Sequence, residues 1–149
     1  MPLQFKSLKI LSTFKVRKSP HMQKEELNHL SKEILDSAIS VHREMGPGLL
    51  ESVYEHCLLK ELELRGIFAE NQVPVPLVYK GYNLNKDYRI DILVEKEIII
   101  ELKAVEFVLP VHEAQIISHL KLTDKRLGFL INFNVPLLKD GFRRFVNNF

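Results

Sequence analysis

The centre of the chain reads Tyr88-Arg89-Ile90-Asp91-Ile92-Leu93-Val94-Glu95-Lys96-Glu97-Ile98-Ile99-Ile100-Glu101-Leu102-Lys103. Two runs rich in Ile, Leu and Val meet at the polar segment 95–97, a pattern that predicts a β-hairpin. Because side chains alternate along a strand, Ile99, Glu101 and Lys103 are predicted to share one face. An acid and a base therefore lie side by side on a strand that is otherwise apolar.

The register of this hairpin decides which side chains meet. If Val94 pairs with Ile98 across the turn, Asp91 lies opposite Glu101. A slip of one residue would turn Asp91 to the other face of the sheet. We predict the first register, which brings two carboxylates together.

Two adjacent carboxylates in an Ile-rich hairpin are costly to bury unless a cation or hydrogen bonds neutralise them. Asp91 and Glu101, with Lys103 two residues further on, form a hard-oxygen site suited to Mg²⁺ or Mn²⁺. The alternative is a surface hairpin whose charges are solvated. The spacing Asp-x9-Glu-x-Lys is more specific than a charged pair and less specific than a cysteine zinc pattern.

Length and composition set the broad class of protein. The 149 residues predict a single domain with its own core. Cys57 is the one cysteine, which excludes an internal disulfide and a cysteine-cluster zinc site and suits a reducing compartment. No apolar run approaches the roughly 20 residues of a membrane span. These features predict a cytoplasmic, soluble protein with no membrane partner.

Charge is distributed unevenly along the chain. The first 20 residues carry five Lys and Arg and no acid, whereas the remainder carries 16 Lys and Arg against 19 Asp and Glu. Residues 1–22 are predicted to be a basic leader, either disordered or a non-native start, since Met22 precedes the first patterned helix. Residues 23–149 form the predicted domain. Its acidic balance means that any phosphate contact must be local.

Two helices are predicted at the start of the domain. Apolar residues recur at helical spacing from about residue 24 to Met45, and Pro47 suits the first turn of a second helix that ends near Arg65. Glu51 lies near the start of this second helix, where the helix dipole alone would favour an acid. Alternatively, Glu51 points at the hairpin and supplies a further oxygen to the metal.

The rest of the chain predicts strands around one more helix. An edge strand at 73–79 precedes the hairpin, and a helix at about 112–123 separates it from a buried strand at 127–133. The segment 141–146 is predicted to be a short edge strand or helix. The order is α-β-β-β-α-β, which predicts an α/β (α+β) fold with a mixed central sheet flanked by helices.

In the helix at about 112–123, the predicted inner stripe is Ala114, Ile117 and Leu120 or Lys121. Gln115 lies beside this stripe. The two histidines of this helix are predicted to be surface or capping groups rather than metal ligands, because no His-x-x-x-His pair occurs.

Four motifs stand out over about residues 25–146. They are Gly48-Leu49-Leu50-Glu51-Ser52-Val53-Tyr54, Tyr88-Arg89-Ile90-Asp91 with Ile100-Glu101-Leu102-Lys103-Ala104-Val105, Val111-His112-Glu113-Ala114-Gln115, and Leu130-Ile131-Asn132-Phe133-Asn134-Val135-Pro136. Together they resemble the GxxExxY family of the PD-(D/E)XK (restriction-endonuclease-like) nuclease superfamily. The resemblance implies a restriction-endonuclease-like αβββαβ core. The sequence departs from the superfamily pattern at Ile90, the position before Asp91, where the pattern has proline.

The resemblance also implies roles for single residues. Asp91 and Glu101 would hold Mg²⁺ or Mn²⁺, with the Leu102 carbonyl as a third ligand. Lys103 would orient the attacking water and offset transition-state charge. Glu51 would add a carboxylate from the helix.

Gln115 resembles the glutamine by which relatives of the exonuclease branch orient their site. The implied function is a metal-dependent nuclease acting on DNA or RNA, for which a homodimer is one way to span a duplex. The alternative is a catalytically silent nuclease-fold module that binds nucleic acid or protein.

Overall fold

The structure, a computed structural model, describes residues 21–149, so all but the last two residues of the predicted leader lie outside the described residues. Its elements are α1 Lys24–Met45, α2 Glu51–Leu64, β1 Ala69–Pro74, β2 Val78–Tyr79, β3 Tyr82–Asn83, β4 Arg89–Val94, β5 Ile98–Lys103, α3 Pro110–Thr123, β6 Leu127–Asn132, a 3₁₀ turn Leu138–Gly141 and β7 Phe142–Val146. Across these residues, the structure contains no helix of the length and apolarity that a membrane crossing requires.

Five strands form one mixed sheet in the order β1-β4-β5-β6-β7. β5 and β6 are parallel, joined by α3, and the other neighbours in this sheet are antiparallel. Strands β2 and β3 pair with each other in a separate two-stranded sheet. The mixed sheet flanked by helices confirms the predicted fold class and is consistent with a restriction-endonuclease-like core.

The sheet is buried on both faces. Helices α1 and α2 pack on one face and α3 packs on the other, giving two clusters of buried apolar side chains. The strands β5 and β6 lie in the middle, and both are buried almost throughout. This explains why their sequences read as nearly continuous apolar runs rather than as alternating ones.

Tyr54 fixes the connection between α1 and α2. Its ring stacks on Phe133 with centroids 4.4 Å apart. Its hydroxyl donates to the Gly46 carbonyl at 2.5 Å and accepts from the Leu49 amide at 3.1 Å. The connection is therefore held by a side chain of the helix that follows it, and α2 begins at Glu51 rather than at the predicted Pro47.

Gly128 on β6 allows α3 to lie close to the sheet. A Cβ atom at this position would come within 3.0 Å of Ile116 and 3.3 Å of Leu120, which are the buried apolar residues of α3. The predicted inner stripe was wrong for Ala114 and Ile117, which are exposed. The helix is rotated so that a different face meets the sheet.

One other predicted boundary was wrong. The edge strand predicted at 73–79 is divided, because β1 ends at Pro74 and residues 78–79 pair only with β3 in the described chain. Pro74 and Pro76 lack the amide hydrogens that a continued ladder needs. The segment 141–146 contains the edge strand β7, one of its two predicted alternatives.

Candidate active site

The hairpin of β4 and β5 has the predicted register. Val94 pairs with Ile98 and the ladder continues to Ile92 and Ile100. The next residues along the two strands are Asp91 and Glu101. There the backbone ladder gives way to a side chain, because the Asp91 carboxylate accepts the Leu102 amide hydrogen at 2.8 Å.

The sheet is irregular around Asp91. Its neighbours Ile90 and Ile92 would share a face in a regular strand, yet they pack in the two opposite core clusters. On β1, the residue between the pairs that flank this point is Gln72, which has a left-handed φ of 52°. A non-glycine residue in this conformation is strained and needs compensating contacts.

The side chain of Gln72 makes such a contact with a third carboxylate, that of Glu55. Glu55 on α2 is 8% exposed and accepts hydrogen bonds from Gln72 Nε2 at 2.7 Å and from Asn71 Nδ2 at 3.3 Å. Its charge also contributes to the electrostatic environment of Asp91. Helix α2 thus places an acid beside the hairpin, and the side-chain amides of Asn71 and Gln72 on β1 hold this acid in position.

Glu101 is held from the other face of the sheet. It is 6% exposed and its Oε1 forms a hydrogen bond with Nδ1 of His119, which is fully buried on α3. The Tyr88 ring packs edge-on against the imidazole with centroids 4.5 Å apart. Nε2 of His119 has no hydrogen-bond partner within residues 21–149.

The electrostatics of this cluster are those of crowded acids. Burial raises the pKa of Asp91 from 3.8 to about 7, and the charge of Glu101 adds to this, although the Leu102 amide hydrogen bond acts in the opposite direction. Burial and the charge of Glu101 also raise the pKa of Tyr88. In the described part of the chain, no lysine or arginine forms an ion pair with Asp91 or Glu55, and the ionic partner of Glu101 is a histidine.

Lys103 lies at the end of β5, two residues beyond Glu101, and is half-buried. It pairs with Asn132 of the parallel strand β6, and its carbonyl accepts the Phe133 amide hydrogen at 2.9 Å. No acid of residues 21–149 forms an ion pair with its amine. The backbone is therefore fixed while the ammonium group remains free for a ligand.

The structure brings some of the predicted site residues together and not others. Asp91, Glu101, Leu102 and Lys103 share the hairpin. Glu51 is exposed at the first residue of α2, and no hydrogen bond or ion pair links it to another described residue.

Gln115 is exposed on α3, one helical turn before the buried His119. His112 caps the start of that helix, as predicted, because its Nδ1 accepts the Leu109 amide hydrogen at 3.0 Å. The surface or capping role predicted for His119 was wrong. Its buried position follows from the rotation of α3 that places Ile116 and Leu120 on the sheet.

Sequence reasoning missed two residues of the cluster, Glu55 and His119. Glu55 precedes Leu58 by three residues and Leu62 by seven, so it lies in the apolar stripe of α2, and an acid there was a usable signal. His119 gave no comparable signal. Helix α3 has apolar residues on several sides, so their spacing does not identify the inner face.

The donor set suits a hard cation. Among residues 21–149, no group of three or more His, Cys, Asp or Glu side chains is arranged to hold a metal. Mg²⁺, however, usually takes one or two protein carboxylates and completes its shell with water and substrate phosphate. Asp91 and Glu101 fit that requirement, and the Leu102 amide fixes the Asp91 carboxylate.

The chain matches a family model of the PD-(D/E)XK nuclease superfamily over residues 28–145. That span contains both strands of the hairpin, most of α1, all of α2 and the αβ unit after the hairpin. Searches of curated proteins and of solved structures found no match. With this match over most of its length, the chain belongs to the PD-(D/E)XK nuclease superfamily.

Proposed function

We propose that this protein is a divalent-metal-dependent nuclease that hydrolyses phosphodiester bonds of DNA or RNA. The observation that carries the proposal is the pair of Asp91 and Glu101, in which burial and then the charge of Glu101 raise the pKa of Asp91 to about 7. Neither acid has a lysine or arginine ion-pair partner within residues 21–149. Perturbed acids next to a free lysine are typical of catalytic sites. Membership of the nuclease superfamily supports the same reaction.

In the proposed mechanism, Asp91, Glu101 and the Leu102 carbonyl hold Mg²⁺ or Mn²⁺. When bound, such an ion lowers the pKa of water and stabilises charge on the phosphate. Lys103 donates hydrogen bonds that orient the attacking water and offset the charge of the transition state. His119 fixes the orientation of the Glu101 carboxylate, and Glu55 adds a negative charge from α2.

The finer family assignment is also a proposal. We assign the chain to the GxxExxY family because Gly48, Glu51 and Tyr54 of that motif lie where α2 begins, and the Tyr54 hydroxyl binds both sides of the connection. Gln115 and Glu51 remain candidate site residues, and both are exposed. A cytoplasmic location and a homodimer complete the proposal.

The competing function is a silent nuclease fold that serves as a binding module. The acidic balance of the domain favours this alternative, because bulk charge would repel nucleic acid. Against it, a module without chemistry has no physical reason to keep Asp91 beside Glu101, since the charge of Glu101 raises the cost of ionising Asp91.

The experiment is a calorimetric titration with Mn²⁺ of the wild type and of the double variant Asp91→Ala/Glu101→Ala. We expect saturable binding by the wild type and none by the variant, because the variant lacks both ligand carboxylates. The control is Glu44→Ala/Glu63→Ala, which removes two exposed helical acids. The same three proteins are then assayed for Mn²⁺-dependent cleavage of plasmid DNA, single-stranded DNA and RNA.

Binding that is equal in the wild type and the double variant would contradict the proposal. The proposal would also be contradicted if the wild type bound no Mn²⁺ even when the titration is repeated in the presence of a phosphorothioate oligonucleotide. The repetition is needed because phosphate oxygens often complete the shell of the metal.

A second titration distinguishes the two acids of α2. We expect Glu55→Gln to weaken Mn²⁺ binding by about ten- to a hundredfold, the usual effect of losing a supporting group around a metal. Glu51→Gln is expected to change Mn²⁺ affinity less than threefold, because Glu51 is exposed and forms no hydrogen bond or ion pair with the cluster within residues 21–149. The reverse order of effects would show that Glu51 is the functional acid of this helix.

A further inference from the structure

Residues 77–87 form a small projection that we call the tyrosine arm. Its strands β2 and β3 pair with each other and belong to a sheet of their own. Lys80 and Gly81 form the turn, with φ of 47° and 81°, and the Leu84 amide donates to the Leu77 carbonyl at 2.9 Å. Two positive φ values in a two-residue loop give the tight turn that is common in hairpins.

The arm exposes apolar surface that the fold does not use. Tyr79 and Tyr82 are 59% and 73% exposed, and Val78 and Leu84 are also exposed. None of these four residues belongs to either core cluster. An exposed apolar cluster of this kind indicates a binding surface. A two-stranded hairpin is also only marginally stable alone, and a ligand would stabilise it.

The two tyrosines lie side by side. They are directly paired across the arm, and opposite residues of an antiparallel pair present their side chains on the same face. The Lys80 ammonium lies 5.4 Å from the centroid of the Tyr79 ring. The arm thus combines a pair of aromatic rings with a cation.

The charge of the arm is opposite to that of the domain around it. Lys80 and Lys86 are exposed, and the acid that follows them, Asp87, is already paired with Arg89. The domain as a whole has more acids than bases. The local charge therefore favours an anionic ligand that also has flat apolar faces.

The arm projects from the sheet next to the candidate active site. It joins the last pair of β1 and β4, Pro74 with Arg89, and its base is closed by the Val75 amide, which donates to the Tyr88 carbonyl at 2.7 Å. The Tyr88 ring contacts His119, which holds Glu101. The base of the arm therefore lies two residues from Asp91 along β4.

We propose that the tyrosine arm binds single-stranded nucleic acid by stacking bases on Tyr79 and Tyr82 while Lys80 and Lys86 contact phosphates. This inference rests on the proposed function and names its substrate class. Stacking requires bases whose faces are free, so an unpaired strand fits the arm and an intact duplex does not.

The test is fluorescence anisotropy of labelled oligothymidylate with the full chain in EDTA, where metal-dependent cleavage does not occur. We expect Tyr79→Ala/Tyr82→Ala to weaken binding about tenfold or more, since each stacked base contributes substantially to affinity. Tyr79→Phe/Tyr82→Phe keeps the rings and is expected to bind like the wild type. The matched control is Phe68→Ala. Phe68 is an exposed aromatic residue beside the turn of the β4–β5 hairpin, away from the tyrosine arm.

Unchanged affinity of the alanine double variant would overturn the proposal, as would a wild type that binds duplex as tightly as single strand. If light scattering shows that the alanine double variant loses a dimer formed by the wild type, while its oligonucleotide affinity is unchanged, the arm would be assigned to self-association. That result would overturn the proposal as well. The variant Asp91→Ala/Glu101→Ala separates this inference from the proposed function. It is expected to bind the oligonucleotide normally even though it cannot cleave.

Discussion

Replacing Asp91 with asparagine is expected to stabilise the metal-free protein at pH 8 and to abolish metal binding and cleavage. Burial and the charge of Glu101 raise the pKa of Asp91 from 3.8 to about 7 in the folded state. The folded protein therefore holds the proton more tightly than the unfolded chain. The contribution of this carboxyl to the stability of the fold is fully present below about pH 4 and is lost as pH rises toward 7.

The size of this loss follows from the pKa difference. A shift from 3.8 to about 7 corresponds to an upper bound of about 4 kcal/mol, and partial exposure of Asp91 reduces it to an expected value of about 2 kcal/mol. Asparagine carries no charge but keeps an oxygen that can accept the Leu102 amide hydrogen. The stabilisation by Asp91→Asn should thus increase from pH 5 to pH 8.

Urea unfolding in EDTA at pH 5 and pH 8 measures this difference, and Asp140→Asn, at an exposed acid, is the control. Added Mn²⁺ should stabilise the wild type at pH 8 but not the Asp91→Asn variant, because only the ionised carboxylate binds the metal. A variant that is equally destabilised at both pH values would contradict the prediction and indicate a purely structural role.

Lys103→Ala is expected to lower the rate of metal-dependent cleavage by about 10²- to 10⁴-fold while leaving Mn²⁺ affinity within about threefold of wild type. Lys103 is half-buried beyond Glu101, and its amine has no ion-pair partner within residues 21–149. In our proposal this amine acts on the water and the transition state rather than on the metal. Removing it therefore affects the rate and not the metal site.

Single-turnover cleavage and calorimetry on the same preparations test this separation. Lys103→Met keeps most of the apolar stem and should lose activity as alanine does, which excludes a packing effect. Lys121→Ala, at an exposed lysine of α3, is the matched charge control. Loss of metal binding together with cleavage in Lys103→Ala would place the residue in the metal site instead.

The hairpin could be predicted because its information is local. Alternation of side chains and the position of the turn at 95–97 set which residues face each other, and the Val94–Ile98 pair has the predicted register. The same local pattern brought Asp91 and Glu101 to neighbouring positions. The αβββαβ order followed from the succession of helical and strand patterns.

The supporting residues could not be predicted in this way, because they depend on how elements rotate against the sheet. Glu51 and Glu55 are one helical turn apart, and both lie near the start of α2. Glu55 is the buried one because Asn71 and Gln72 of β1 donate to it, and Gln72 adopts a left-handed conformation at that point. Nothing in the local sequence specifies which amides will lie beside the helix.

The local sequence was sufficient to predict the three helices, the hairpin register and the acids and lysine that this hairpin carries, because strand periodicity and turn position act between near neighbours. It did not predict the separate pair of β2 and β3. The tertiary structure alone decided that Glu55 and His119 join the acids of the hairpin. Gly128 lets α3 approach the sheet, and close packing of Ile116 and Leu120 there turns His119 onto Glu101. Contacts between residues far apart in the chain set these rotations, and the spacing within one helix does not contain them.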